Sequence, residues 1–454
     1  MRTDAPVNPY ELRAESIEEP PKKLSAIALR VGPGIILAST IVGSGELVAT
    51  TVLGAEHGYS LLWLIIVSCV IKIVVQNELG RYTIGTGETT LEAFDRIPGP
   101  RLGASWVVWA WFFSTATSLI AIGGILGGIS QVIHMIVPSV PIMAWVWIIN
   151  IATVAILSVG RYELIERVSV AMVAGFTVMT IGAAWVLLDS PQYFSWSAVA
   201  DGLSFHMPEG GFLSAVSVVG LTGVGASELG IYPYWCLEKG YARFTGPRDD
   251  SPAWIRRARG WIRVLGFDVI NSMVIYTFAT IAFYLLGAGI LNGMGIVPAG
   301  TEMIETLSNM YTATLGEWSR YLFLGGAAAV LYSTVFAGTA ARSRMLADWL
   351  GILKAYDKGD YTLRLRFQRL FVIALLIVPS LYYMFFQEPV MMIKMAGAVE
   401  AAMLPIVGFS TVYLRHRHLP RSIAPKGWLT LALWVTSALM AVMMGYSVLQ
   451  RLTP

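Results

Sequence analysis

Two six-residue stretches carry the first chemical signal of this chain: VGSGEL at 42–47 and VGASEL at 224–229. Each sets a glutamate, Glu46 or Glu228, behind small residues in the middle of a long apolar run. An ionisable side chain at the centre of a bilayer costs about 2.5–3.5 kcal/mol even on the gentler insertion scale. Glycine weakens a helix but tolerates the φ values an unwound segment needs. Unwinding frees backbone carbonyls, which suit a cation, and half-helix N-termini, which suit an anion. The two stretches therefore read as halves of one binding site, each donating a carboxylate. Gly43, Ser44 and Gly45 form one expected break, and Gly223, Gly225, Ala226 and Ser227 the other. Close helix packing also uses glycine, but it does not account for two mid-membrane glutamates.

Other polar residues fall in apolar runs. Lys72, one turn before Gln76, is a candidate coupling or gating residue that either replaces a sodium or proton site or neutralises Glu46 or Glu228. Snorkelling of Lys72 to the membrane edge is the competing reading. Glu400 is either a third acid near the cavity or the partner of Lys394. Asp268 and Asn271 read as capping or bridging groups, and Arg161, Glu163 and Glu166 as a gating or structural charge network. His57, a lone histidine, reads as structural. Cys69 and Cys236 lie far apart without a CxxC, so they read as small core residues rather than a disulfide or zinc site.

The elements that position these groups are membrane helices. Of 454 residues, 56% are hydrophobic and 13% charged, with a mean hydropathy of +0.63. A soluble domain carries roughly 25% charged residues. Apolar runs long enough to span a bilayer fall at 32–57, 60–80, 104–138, 141–159, 165–188, 211–238, 262–292, 318–348, 367–386, 391–414 and 427–450. With the N-terminus inside, the inner segments hold 28 of the 32 Lys and Arg residues, leaving Lys72, Lys394, Arg320 and Arg451. This bias supports eleven crossings, with a cytosolic N-terminus and an extracytosolic C-terminus in the plasma (inner) membrane. It also accounts for the net charge of +3 without a nucleic-acid partner. WIRRARGWIR at 254–263 reads as a cytosolic anchor on anionic lipid. Residues 1–31 read as a mobile cytosolic tail without a cleavable signal.

Glu46 and Glu228 each stand in the first helix of a five-helix block, 32–190 and 205–414, with 427–450 as an eleventh span. The blocks enter the membrane from opposite sides. Inverted repeats with broken first helices are the pattern of secondary transporters. No GxxxxGK[ST], HExxH or GxSxG occurs, so an ATP-driven pump, an intramembrane hydrolase, or any enzyme is unsupported.

GPGIILASTIVGSGELVATTVLGAEHGYSLLW (32–63) resembles the first helix of the Nramp family of divalent-metal transporters, whose pattern there is GPG, then DPGN, then AGxxxGYxLLW. The resemblance continues through QNELGRYTIGTGETTLEAF (76–94), RYELIERV (161–168), WSAVADGL (196–203), the eighth helix and LP at 404–405. It implies an all-α membrane protein of LeuT-type fold, with two inverted five-helix repeats plus an eleventh helix. The departures fall in the motifs. Gly43 stands where the family has its metal-binding aspartate and Glu46 where it has asparagine. Ser227 replaces a methionine, Leu229 a histidine, and the third helix (117–130) lacks the family's acids.

A thioether favours softer transition metals. Two carboxylates, hydroxyls and carbonyls make a hard site suited to Mg²⁺, Ca²⁺ or Mn²⁺, which in its logic is closest to Nramp-related magnesium transporters. The expected activity is alternating-access transport of Mg²⁺ or Mn²⁺ as substrate by a monomer, with no cofactor. Glu46, Glu228, Ser44, Gly43, Gly45, Gly225 and Ser227 would form the site. The alternative is an amino acid or organic cation held by the same breaks and glutamates, with Trp261, Tyr232, Tyr234 and Trp235 as candidate aromatic walls.

Overall fold

The computed structural model describes residues 8–159, 162–208 and 211–452; the side chains of 44, 158–159, 162–170, 172, 212–213 and 447–452 lie outside that description. The Ser44 side chain and the Arg161, Glu163 and Glu166 network are therefore not described.

The helices follow the apolar runs. We label them α1 (33–57), α2 (Leu62–Thr86), α3 (Trp106–Ile136), α4 (Ile142–Val159), α5 (Tyr162–Leu187), α6a (Phe212–Leu221) with α6b (Ala226–Lys239), α7 (Pro252–Met294), α8 (Ser319–Ile352), α9 (Tyr361–Phe386), α10 (Pro389–Arg417) and α11 (Gly427–Leu452). Eight helical stretches among the described residues have the length and apolarity to cross a membrane. One of them, Pro33–Thr86, contains both α1 and α2, which turn at Gly58, and two shorter apolar helices lie in α4 and α5. A two-residue antiparallel pairing, Arg101–Leu102 with Ala104–Ser105, closes the turn before α3. Large apolar side chains such as Ile151, Trp185, Phe278, Tyr321, Phe385 and Leu431 are exposed. Such a surface needs lipid to cover it.

Two helices meet the expected break differently. In α6 the chain leaves helical geometry after Leu221, and Gly223 adopts φ +63°. A side chain there is strained by about 1–2 kcal/mol, and a Cβ would also sit 3.2 Å from Cys69 Cα. The helix resumes at Ala226, so Ala226 and Ser227 form its first turn rather than part of the break. In α1 the expected break does not occur. Residues Pro33–Ile41 are α-helical, Val42–Thr50 run on as a π-helix, and Thr51–His57 are α-helical again. Gly43 and Gly45 serve close packing there: a Cβ would lie 1.7 Å from Thr334 Oγ1 at Gly43 and 2.9 Å from the Leu221 carbonyl at Gly45. π-Helical segments inside α-helices nonetheless occur frequently at functional sites.

Buried polar groups fix the helix ends. Pro33 begins α1, and Asp268 of α7 caps it, accepting from Gly32 N at 3.0 Å and Gly34 N at 2.6 Å. Ser251 caps α7 by accepting from Trp254 N. Cys69 and Cys236 are buried and unbonded to each other.

The segment from residue 8 onward is not the loose tail the composition suggests. Tyr10 donates to Glu238 at 2.7 Å and lies under the Arg364 guanidinium, 3.8 Å from ring centre. The Leu12 side chain packs over Gly87, Ile17 over Gly246 and Pro20 over Gly260. Trp261 donates to the Glu18 carbonyl. Apolar and aromatic contacts scattered through a polar stretch anchor it across one end of the bundle.

Candidate functional site

A cavity of about 60 Å³ opens between α1, α3, α6, α8 and α10. Its walls include Thr40 and Gly45 of α1, Ser227 and Glu228 of α6b, Arg342 of α8 and Glu400 of α10. It runs toward the end of the bundle carrying the N-terminal segment, past Trp111, Trp235 and Met345. At the opposite end Lys394 of α10 pairs with Glu56 of α1 at 2.5 Å. That pairing leaves Glu400 free of Lys394.

Glu400 instead joins the break in α6. Its Oε2 accepts from Ser227 N at 2.8 Å and its Oε1 from Ser227 Oγ at 2.5 Å. These are N–H and O–H groups of the first turn of α6b, where helix donors lack intrahelical partners and negative charge is stabilised. Glu228 belongs to the same turn. Its carboxylate folds back over Gly225, where a Cβ would lie 2.5 Å from Glu228 Oε2. Gly225 thus leaves room for that carboxylate. Two carboxylates from α6 and α10 converge on one helix start inside one cavity.

Glu46 is fully buried and does not line that cavity. Its Oε1 accepts from Gly223 N at 3.0 Å, and its Oε2 from Thr50 Oγ1 at 2.9 Å. Thr50 Oγ1 also lies 3.1 Å from Thr222 Oγ1. Lys72, also fully buried, donates to the carbonyl oxygens of Val219 and of Thr222, the latter at 2.7 Å. It does not snorkel. Gln76 is buried one turn on, with neither amide atom partnered among the described residues.

Of the expected site residues, the cavity gathers Gly45, Ser227 and Glu228 with Glu400, and Gly225 lies directly beneath Glu228. Gly43 does not line the cavity itself but packs behind Thr334, which does. Among the aromatic candidates Trp235 alone reaches the lining. Tyr232 donates to Asp268, Tyr234 donates to Asp348, and Trp261 packs on Tyr241 and Phe244.

Sequence reading missed Arg342, Trp111, Thr115 and Ser118, all of which line the cavity. The α3 residues had a signal, since 111, 115, 118, 122 and 125 recur at helical spacing. In the sequence Arg342 counts only toward the basic bias at a helix end. It is half-buried, and its Nε has no hydrogen-bond partner among the described residues. Three or more His, Cys, Asp or Glu residues do not cluster as a metal-holding group among the described residues. Any ion here would complete its shell with hydroxyls, carbonyls and water.

A sequence model described as natural resistance-associated macrophage protein-like, the Nramp family, matches residues 34–450. The uncharacterised protein PM0681 of Pasteurella multocida is 25% identical over 332 residues, covering 71% of each chain. A protein named divalent metal cation transporter MntH, from Acidiphilium cryptum, is 24% identical over 326 residues, covering 70% of this chain and 69% of its own. A crystal structure of a manganese transporter variant from Eremococcus coleocola superposes with a TM-score of 0.67 at 16% identity, covering 96% of this chain and 90% of the other. That last likeness establishes the fold: two inverted five-helix repeats of LeuT type, with an additional helix.

Proposed function

The chain belongs to the Nramp family, and from that premise we propose that it carries a hard divalent cation, Mg²⁺ or Mn²⁺, across the membrane by alternating access. It is a transporter and not an enzyme: no bond is made or broken, and the ion is substrate.

The convergence of Glu228 and Glu400 on the start of α6b carries this reading. Two carboxylates offset the two charges of the ion, and the ion offsets the burial cost of the carboxylates. Oxygen donors line the cavity: Ser227 Oγ, the two carboxylates, and the hydroxyls of Thr115 and Ser118. All-oxygen surroundings suit Mg²⁺, Mn²⁺ or Ca²⁺. Met345, the one thioether in the lining, packs beyond them against Gly230. Mg²⁺ sheds water reluctantly, and about 60 Å³ leaves room for a few waters at roughly 10–15 Å³ each on this measure.

Glu46 takes a different part from the one its sequence position suggests. It holds the broken segment of α6 in place from behind, while Glu228 and Glu400 face the ion. The Lys394–Glu56 pair closes the outer side. Rocking of one helix bundle against the other would break that pair and close the cavity at the end spanned by the N-terminal segment.

Arg342 favours a second reading. A guanidinium with a free donor in a cavity walled by Trp111 and Trp235 suits a carboxylate, while Glu228 and Glu400 suit an ammonium. The substrate would then be a zwitterion such as an amino acid, in a wider conformation of the same cavity.

One experiment separates the two readings. The full-length protein is placed in proteoliposomes, and uptake of Mg²⁺, Mn²⁺, Ca²⁺ and an amino-acid panel is followed with internal pH recorded. Saturable uptake of Mg²⁺ or Mn²⁺ supports the first reading. Amino-acid uptake without metal uptake replaces it with the second.

A further inference from the structure

The break in α6 exposes backbone groups of both signs, and side chains of α1 and α2 meet three of them, the carbonyls of Val219 and Thr222 and the N–H of Gly223. The last carbonyls of α6a have no intrahelical donors. Lys72 from α2 reaches one of them, on Val219, and the carbonyl of Thr222 just past the helix end, with an ammonium that is completely buried. Ser68, one turn earlier on α2, turns its hydroxyl toward the same Thr222 carbonyl at 3.5 Å. Directly beside them Glu46 takes the Gly223 N–H, within electrostatic reach of Lys72. Helix C-terminal carbonyls, a hydroxyl and a carboxylate in one buried cluster are the oxygen set that holds a monovalent metal ion at a broken helix. Here a covalently attached ammonium sits in that seat.

We propose that Lys72 is a tethered cation, permanently seated where a monovalent metal co-ion would bind, and that this protein therefore moves its substrate without Na⁺ or K⁺. The side chain is covalently attached, so while it is protonated its charge stays at the break and does not exchange with either compartment. Lys72 is a positioning residue: it holds α6a against α2 and lets the first turn of α6b present Glu228 and the Glu400 seat to the cavity. A lysine suits the task because its ammonium is a compact point charge with three donors. Snorkelling is closed to it, because the carbonyls that it binds lie at the centre of the bundle.

The flux arm of the test rests on the transport reading above, and the binding arm does not. The full-length protein is reconstituted with Mn²⁺ as the transported probe, and uptake is measured in Na⁺, K⁺ and choline media. In parallel its thermal midpoint is measured in the same three salts without Mn²⁺. Equal uptake rates and equal midpoints are expected. A rise in uptake or midpoint with Na⁺ or K⁺ over choline overturns the proposal. Lys72→Ala vacates the seat. It is expected to lower the midpoint and to regain it on addition of Na⁺, K⁺ or methylammonium, whereas Lys72→Arg is not expected to respond to them. A Lys72→Ala protein that keeps the wild-type midpoint, or loses it and regains none of it with any of the three cations, also overturns the proposal. Should Lys72→Ala fail to fold, the wild-type salt comparison decides alone. Absence of Mn²⁺ uptake in every salt, with midpoints still equal, removes the transport reading and leaves the tethered cation standing.

Discussion

The carboxylate of Glu46 on α1 accepts the backbone N–H of Gly223 in the break of α6 at 3.0 Å. The first copy of the repeated motif thus meets the residue just before the second, as a carboxylate on a backbone donor rather than as two carboxylates on an ion. Removing a partner from a buried donor leaves that donor unsatisfied, at about 1–3 kcal/mol. Glu46→Ala should therefore lower the thermal midpoint in detergent markedly more than Glu228→Ala does. Equal midpoints for the two variants would assign Glu46 to the cavity after all.

Glu228 and Glu400 should behave as a pair. Glu228→Gln and Glu400→Gln each leave a dication facing one carboxylate and the Arg342 guanidinium. Each should reduce Mn²⁺ or Mg²⁺ uptake by about tenfold or more, equivalent to about 1.4 kcal/mol, while the purified protein keeps its monodisperse elution. Wild-type uptake by both variants would remove the ion from this cavity.

The two glycines around the break differ in what they do for affinity. Gly223 needs its positive φ, so Gly223→Ala should destabilise the protein by about 1–2 kcal/mol. Gly225 has φ −73° and ψ 176°, a conformation open to any residue. Gly225→Ala should displace the Glu228 carboxylate and raise the half-saturating metal concentration, and it should lower the thermal midpoint as well, because its Cβ would also meet the Gly220 carbonyl at 2.9 Å. A Gly225→Ala protein with the wild-type half-saturating concentration would contradict this.

Arg342 tests the substrate directly. Arg342→Gln removes a positive charge from the cavity and should strengthen binding of a divalent cation, seen as a lower half-saturating concentration for uptake. If the substrate is a zwitterion, the same variant should lose uptake instead.

The N-terminal segment supplies a pH test outside the membrane. Burial first, and then the adjoining Glu238 carboxylate, hold the Tyr10 phenol well above its ordinary value of 10.0. A folded-state pKa raised in this way gives stability that is fully present below pH 10 and is lost as pH rises above it. Wild type and Tyr10→Phe should therefore differ by a constant thermal midpoint through neutral pH, and the difference should change only in the alkaline range. A difference that changes between pH 6 and 9 would mean another group controls the contact.

Composition and periodicity alone determined the class of this protein. Apolar runs too long for a soluble core, with basic residues at alternate gaps, fix a multi-span helical bundle, because lipid admits few other backbones. The break at Gly223 was legible too, since only a residue without Cβ is comfortable at that φ. The motif at 32–63 carried the family. The identity of the acidic pair was not legible. Gly43 and Gly45 look like Gly223 and Gly225 in one dimension, but α1 stays helical because Thr334 and Leu221 press against those glycines and need them for contact. Glu400 and Lys394 both lie on α10, and which of them faces the cavity depends on the rotation of that helix against α6b and α1. Arg342 read as one more inside charge until the approach of α8 set its guanidinium beside the cavity. Sequence specifies which groups a helix carries and at what spacing. The angle and depth at which helices pack decide which of those groups meet, and that is why Glu228 found its partner in Glu400 while Glu46 was left to hold the break.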